Sequence, residues 1–279
     1  MQLFLGIDGG GTGCRAAVAD ASGRVLARAE AGPANIFSNR DLALHNILAA
    51  ARDALAQATG GGADLSALRA GLGLAGANAS GASDWLAAHL PFAESRIETD
   101  ALTTAKGALG RDDGIVAALG TGSVFAIQQA GRVRQIGGWG FWLGDEGSGA
   151  VLGRSLLARA LRARDGVHAM TPLLQAVLDH FQTPDRLVAF SLAAKPADYA
   201  TWAPRLFNTA DPAAHTIVDH ATAEVRATIA ALQPGPALPV TYIGGLGALY
   251  AGLIADWPQR PAQGSALDGA LLLAMGGAA

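Results

Sequence analysis

Cysteine is almost absent: Cys14 stands alone among 279 residues. That excludes a disulfide framework within the chain and any multi-cysteine metal site, and it fits a reducing compartment. Charge is also sparse, at 15% of residues, with a formal net charge of −3 and a pI near 6.0. No Lys/Arg tract exists, so nucleic acid and anionic membranes are poor partners. No lysine follows the glycine-rich stretches, so Gly-x-x-x-x-Gly-Lys-Ser/Thr has no match. The six histidines show no metal-ligand spacing. The N-terminus has no basic region and Asp8 interrupts its apolar stretch, so no signal peptide is expected. The most apolar tail, 266–279, contains Asp268 and is too short to span a bilayer. The expected protein is soluble and cytoplasmic.

Glycine, by contrast, is abundant, with 37 residues, and apolar residues reach 51%. A chain of this length and composition buries a core in one large or two modest domains. Leu3–Ile7 reads as a buried strand ending at Asp8, followed by Gly9-Gly10-Gly11-Thr12-Gly13 and a second strand from Cys14 to Ala19. Ser22-Gly23 turns the chain into a third strand, Arg24–Ala29. A helix is expected over 41–58, capped by Asp41 and ended by Gly60-Gly61-Gly62. A strand over 68–74, a helix over 83–90 and a strand over 95–99 follow, the last closing on Asp100.

The pattern then repeats. A strand over 114–119 leads into Gly120-Thr121-Gly122-Ser123, a strand over 124–128 and a turn at Ala130-Gly131. The loop-to-turn glycine separation is twelve in the first copy (11 to 23) and eleven in the second (120 to 131). Two copies of strand, GTG loop, strand, turn and strand imply a duplicated unit opening each of two similar domains. Residues 149–232 read as mostly helical, with Pro172, Pro184, Pro196, Pro204 and Pro212 marking breaks or first turns. A last strand over 238–243 runs into Gly244-Gly245, then a helix, and a final helix over 266–275. Strands alternating with helices give α/β architecture.

The glycine loops suit anions, because N–H groups without side chains can approach a bulky phosphate. In a duplicated fold the two hairpins would face each other across a cleft, with Thr12, Thr121 and Ser123 adding hydroxyl donors. A plain glycine hairpin is the bland alternative. Gly11 to Ala16 also fits a dinucleotide fingerprint, but that motif must open a helix, and here a strand and turn follow. Gly244-Gly245 is either a tight strand-to-helix turn or backbone against which an adenosine lies. Asp100 is a helix cap, a proton acceptor for a substrate hydroxyl, or both. The stretch Gly137 to Gly149 holds six glycines, two tryptophans and two acids. Such a stretch suits a sugar, with aromatics over ring faces and carboxylates on hydroxyls. Cys14 reads as a small core residue and Asn35 as a turn residue.

Taken in order, Gly6-Ile7-Asp8-Gly9-Gly10-Gly11-Thr12, Thr99-Asp100-Ala101, Gly120-Thr121-Gly122-Ser123, Gly137-Gly138-Trp139-Gly140 and Gly144-Asp145-Glu146-Gly147-Ser148 resemble one family. It is the N-acetylglucosamine kinase and glucosamine kinase branch of the BadF/BadG/BcrA/BcrD ATPase family, in the actin/hexokinase/Hsp70-like superfamily. The resemblance spans essentially the whole chain. It implies two ribonuclease H-like lobes around an interlobe cleft: residues 1–110 with the returning segment 266–279, and residues 111–265. It implies ATP and Mg²⁺, with Asp8, Gly9, Gly10, Gly11, Thr12, Gly120, Thr121, Gly122 and Ser123 at the phosphates. Asp8 would stand near the metal, and Gly244 and Gly245 near adenosine. Asp100 would be the general base, and Asn35, Asp100, Gly138, Trp139, Gly140 and Asp145 would hold an amino sugar. A homodimer is a family-level expectation. Iron–sulfur activators among the wider family need cysteines this chain lacks, and its acyl preference stays open. Two rivals stand beside the kinase: an actin- or chaperone-like nucleotide switch, and an ATPase coupled to a partner enzyme.

Overall fold

A computed structural model of the chain describes residues 2–79 and 81–276. Residues 277–279, which the sequence reading assigns to the returning C-terminal segment, lie outside the described residues. The chain divides into two units: Met1–Val116 with Ala126–Gln135 and Pro261–Ala279, and Ala117–Phe125 with Ile136–Arg260. The secondary structure is mixed α/β, built on two sheets.

The first sheet comprises β1 (Leu3–Gly9), β2 (Cys14–Asp20), β3 (Val25–Ala31), β4 (Arg69–Leu74) and β5 (Glu94–Thr99), in the order β3-β2-β1-β4-β5. β1 pairs antiparallel with β2 through the glycine hairpin and parallel with β4. The second sheet comprises β6 (Gly114–Leu119), β7 (Ser123–Gln129), β8 (Arg132–Gly137) and β9 (Val240–Ile243), in the order β8-β7-β6-β9. Its hairpin pair followed by a returning strand repeats the order of β3-β2-β1-β4. The duplication visible in the sequence is therefore a duplication of topology. β9 starts two residues later than the sequence suggests, just after Pro239, which has no N–H to give a ladder.

Alternation along β1 sets the layers. Leu5 and Ile7 point into a core formed with α1 (Arg40–Thr59), while Gly6 faces the other way. There α10 (Ala266–Ala274) lies so close that a Cβ on Gly6 would stand 2.8 Å from Leu271 Cγ. Asn39, and not Asp41, caps α1: its side chain accepts from the Leu42 N–H, and Asp41 sits in the first turn. Both residue types cap well, so spacing alone misplaced the boundary by two residues. Gly60 ends the helix with φ 73°, as its sequence position suggests.

The short α2 (Ala82–Ala87) precedes β5, and α3 (Asp100–Leu109) follows it directly. In the second unit α4 (Gly149–Arg164), α5 (Pro172–Phe181), α6 (Pro184–Ala193), α7 (Pro196–Ala200) and α8 (Pro212–Leu232) surround a separate core. Each of the five marked prolines falls in the first turn of its helix, where its missing N–H costs nothing. Phe181 and Trp202 stack at 5.2 Å inside that core. α9 (Gly247–Leu253) follows β9. Among the described residues no helix is long and apolar enough to cross a membrane.

Candidate functional site

In the first unit, Gly10 to Gly13 close the β1–β2 hairpin, with the Gly10 N–H donating to Gly13 O at 2.9 Å. Gly11 and Thr12 form its exposed tip, and nothing lies within 4 Å of a Cβ on Gly11. Gly9 has a different reason to be glycine. A Cβ there would stand 2.6 Å from Leu74 Cδ2 and 2.9 Å from Ala34 Cβ, so it lets the neighbouring chain close in. The Ala34 N–H donates to Gly10 O at 2.8 Å, which docks the Asn35 segment against the loop. Asn35 accepts from the Phe37 and Ser38 N–H groups, both at 3.0 Å.

Asp8 lies opposite Arg15 in the hairpin register and forms an ion pair with it. Sequence reasoning missed this partner, although hairpin pairing across a short glycine turn dictates it. A cavity of about 340 Å³ beside the loop is lined by Asp8, Gly10, Thr12, Arg15 and Glu30. Cys14 also reaches it but is buried, and burial with the Asp8 charge pushes its thiol up to about 12. It is a core residue and no nucleophile.

Asp100 opens α3 but does not cap it. Thr99 does, its hydroxyl accepting from the Leu102 N–H at 3.2 Å. The Asp100 carboxylate accepts from the Ala101 N–H at 2.9 Å and remains open to solvent. Surrounding protein still desolvates it enough to raise its pKa above the ordinary aspartate value, and the Asp8 charge adds to that rise. A carboxylate that is accessible, held at one oxygen and made more basic is suited to take a proton.

In the second unit the loop Gly120 to Ser123 is tied to the start of α4. The Gly149 N–H donates to Gly120 O at 2.8 Å, and the Ala150 N–H to Thr121 O at 3.1 Å. Loop carbonyls thus satisfy N–H groups that a helix start leaves orphaned. Gly120 has open space around it and Thr121 is exposed. Ser123 is used inward instead: it is buried, and its hydroxyl donates to Glu146 O at 2.8 Å. Its backbone N–H serves the Asp145 carboxylate. Gly122 lets that carboxylate in, since a Cβ would stand 2.9 Å from Asp145 Oδ2.

Asp145 is buried and adopts φ 62°, a conformation uncommon outside glycine. Burial raises its pKa, and the Ser123 N–H partly opposes the rise. It therefore joins the segment 137–149 to the loop at 120–123. Within that segment Phe141 is the anchor, buried against Tyr199 with ring centroids 4.9 Å apart. Trp139 and Trp142 are outward, 74% and 72% exposed. Gly138 and Gly140, on either side of Trp139, take positive φ.

Gly244 and Gly245 part company. Gly244 has φ 85°, and a Cβ would stand 2.4 Å from Leu119 O, so the β6–β9 approach demands glycine there. Gly245 has nothing within 4 Å. Only the second has room for a ligand.

The donor set fits nucleotide phosphates with one divalent ion. The described residues hold no cluster of three or more His, Cys, Asp or Glu side chains that could cage a metal. Mg²⁺ does not require one, because it binds through one or two carboxylates and the substrate's phosphates. Asp8, near enough to Asp100 to affect its proton affinity, is such a carboxylate.

The BadF/BadG/BcrA/BcrD ATPase family profile matches residues 5–246. The chain is 34% identical to glucosamine kinase GspK of Vibrio cholerae, with 98% of this chain and 96% of that protein covered. A solved structure from Chromobacterium violaceum, provisionally named an N-acetylglucosamine kinase, superposes with a TM-score of 0.84. Its identity is 35%, covering 98% of this chain and 99% of that one. The ROK family glucokinase of Streptomyces griseus shares the fold alone, with a TM-score of 0.55 and 19% identity over 97% and 98% of the two chains. A profile covering most of the sequence and a relative covering nearly all of it lead to one conclusion: the chain belongs to the BadF/BadG/BcrA/BcrD ATPase family.

Proposed function

We propose that the chain is an ATP-dependent amino-sugar kinase that transfers the γ-phosphoryl group to the 6-hydroxyl of glucosamine or N-acetylglucosamine. The observation that carries this reading is the near-full-length likeness to a glucosamine kinase in a chain whose Asp100 carboxylate is free of capping. The phosphate contacts fall to Asp8, Gly10, Gly11 and Thr12, and to Gly120 and Thr121. Gly245 lies against adenosine. Asn35, Gly138, Trp139 and Gly140 contact the sugar, and Asp145 orients it while bracing the second loop.

Asp100 accepts the proton of the sugar O6 as that oxygen forms its bond to phosphorus and the bond to the departing ADP oxygen breaks. Asp8 would hold Mg²⁺, which would supply neutralisation of phosphate charge. Exposed Trp139 supplies an apolar face for the pyranose ring.

ADP release, followed by a coupled assay over glucosamine, N-acetylglucosamine, N-acetylmuramic acid, glucose and no sugar, tests the reading. Strong stimulation by an amino sugar is expected. Equal rates with and without sugar would return the protein to an uncoupled ATPase or a nucleotide switch. The two glycines after β9 give a sharper check. Gly245→Ala should leave the thermal midpoint unchanged and raise the KM for ATP. Gly244→Ala should lower the thermal midpoint, since its φ and the Leu119 carbonyl both resist a side chain.

A further inference from the structure

The second unit contains a cavity of about 440 Å³ between α4 and α8 that shares no residue with the loop at 120–123 or with Gly244–Gly245. Its volume lies in the range of small-molecule sites. Arg154, Arg159 and Arg162 line its α4 side. Among the described residues none of the three has a carboxylate within 4.0 Å, and Arg159 Nε is buried without a hydrogen-bond partner. Arg154 lies over the Phe141 ring at 5.0 Å, and Arg162 Nε donates to His168 Nε2 at 3.2 Å. That bond makes His168 an acceptor, so its ring carries no charge of its own there.

Three guanidinium groups around one space, one with a buried unused donor, are costly unless an anion completes them. The far wall is different. Thr216 and Glu224 of α8 face the cavity, as does Glu146, and His220 there lies 4.0 Å from Glu224. One wall wants an anion; the other accepts hydrogen bonds from hydroxyl or ammonium groups.

We infer that this cavity is a second ligand site, for the phosphate monoester of an amino sugar, with its phosphate on Arg159 and Arg162 and its amino and hydroxyl groups toward Glu146 and Glu224. The choice of an amino sugar rests on the proposed kinase reading; the anion site rests on the arginines. Gly144 and Glu146 line the cavity and flank Asp145 on either side, so an occupant touches the segment that braces the second loop.

Calorimetric titration of the intact protein without ATP tests this, using glucosamine 6-phosphate and then inorganic phosphate, each with saturating glucosamine present. The sugar phosphate should bind despite the glucosamine, and inorganic phosphate should bind more weakly. Arg159→Gln, and separately Arg162→Gln at the more exposed rim, should each weaken binding by about ten- to a hundredfold. Both should keep the KM for glucosamine within about twofold, well under one tenfold step in affinity. Absence of binding, displacement by glucosamine, or indifference to both substitutions would overturn the site. Equal binding of inorganic phosphate would overturn its assignment to a sugar. If the sugar phosphate binds but no amino sugar is phosphorylated, the kinase reading fails and the anion site stands.

Discussion

Asp100→Asn is expected to lower kcat by at least roughly 100-fold while changing the sugar KM far less, because general-base contributions run to about 10²–10⁴-fold. Asparagine keeps the size of the side chain but cannot take the O6 proton. Thr99 holds the α3 cap, so the helix start survives the change. Stability gives a second, opposite readout. The folded state raises the Asp100 pKa, so it binds that proton more tightly than the unfolded chain does. This contribution to stability is present at low pH and is lost as pH rises through the folded value. At neutral pH the ionised carboxylate is a liability, and Asp100→Asn should leave the thermal midpoint equal or higher. The acid limb of the wild-type kcat/KM profile should fall at a pH above the ordinary aspartate value. A dead variant that is also less stable would mean that the substitution damaged the fold and left the chemistry untested.

Gly269→Ala is expected to be as damaging for a mechanical reason. A Cβ there would stand 1.8 Å from Thr103 O and 2.6 Å from Gly107 N, both backbone atoms of α3. From the opposite side, a Cβ on Gly107 would stand 1.8 Å from Ser265 O. Neither helix can yield by rotating a side chain. Overpacking of this kind costs about 1–3 kcal/mol or more, and the thermal midpoint should fall by ~2–4 °C per kcal/mol. Because α3 starts at Asp100, the displaced helix should also misplace the base. A shift of about 1 Å can cost about 100-fold in rate, so kcat should fall in the protein that remains folded. Gly62→Ala, at a loop position with nothing within 4 Å, is the neutral control.

What the sequence made legible was the set of features written in local residue order. The two GTG hairpins, the prolines opening helices and the strand ending at Thr99 each follow from neighbouring residues, and the structure has them in place. What it hid depends on contacts across the chain. Gly244 and Gly245 are identical in sequence, yet only the carbonyl of Leu119, more than a hundred residues away, separates a packing glycine from an open one. Ser123 read as a phosphate donor because its hydroxyl stands beside a glycine loop, but Glu146 O takes that hydroxyl. Asn39 and Asp41, like Thr99 and Asp100, are rival caps whose order the local chemistry does not decide. The tryptophans of the segment 137–149 stood out by size, while its anchor, Phe141, shows itself only through Tyr199 and Arg154. The arginines of α4 gave no signal in the sequence, because only the packing of α8 opposite them makes a cavity wall.

The central claim is that phosphate moves from ATP to the sugar oxygen, and the product itself decides it. The protein should be incubated with ATP, Mg²⁺ and glucosamine, and in parallel with N-acetylglucosamine, and followed by phosphorus NMR. The account predicts a sugar 6-phosphate resonance growing in step with ADP for at least one of the two, without matching release of inorganic phosphate. ADP accompanied by inorganic phosphate alone, with no sugar phosphate from either acceptor, would contradict it.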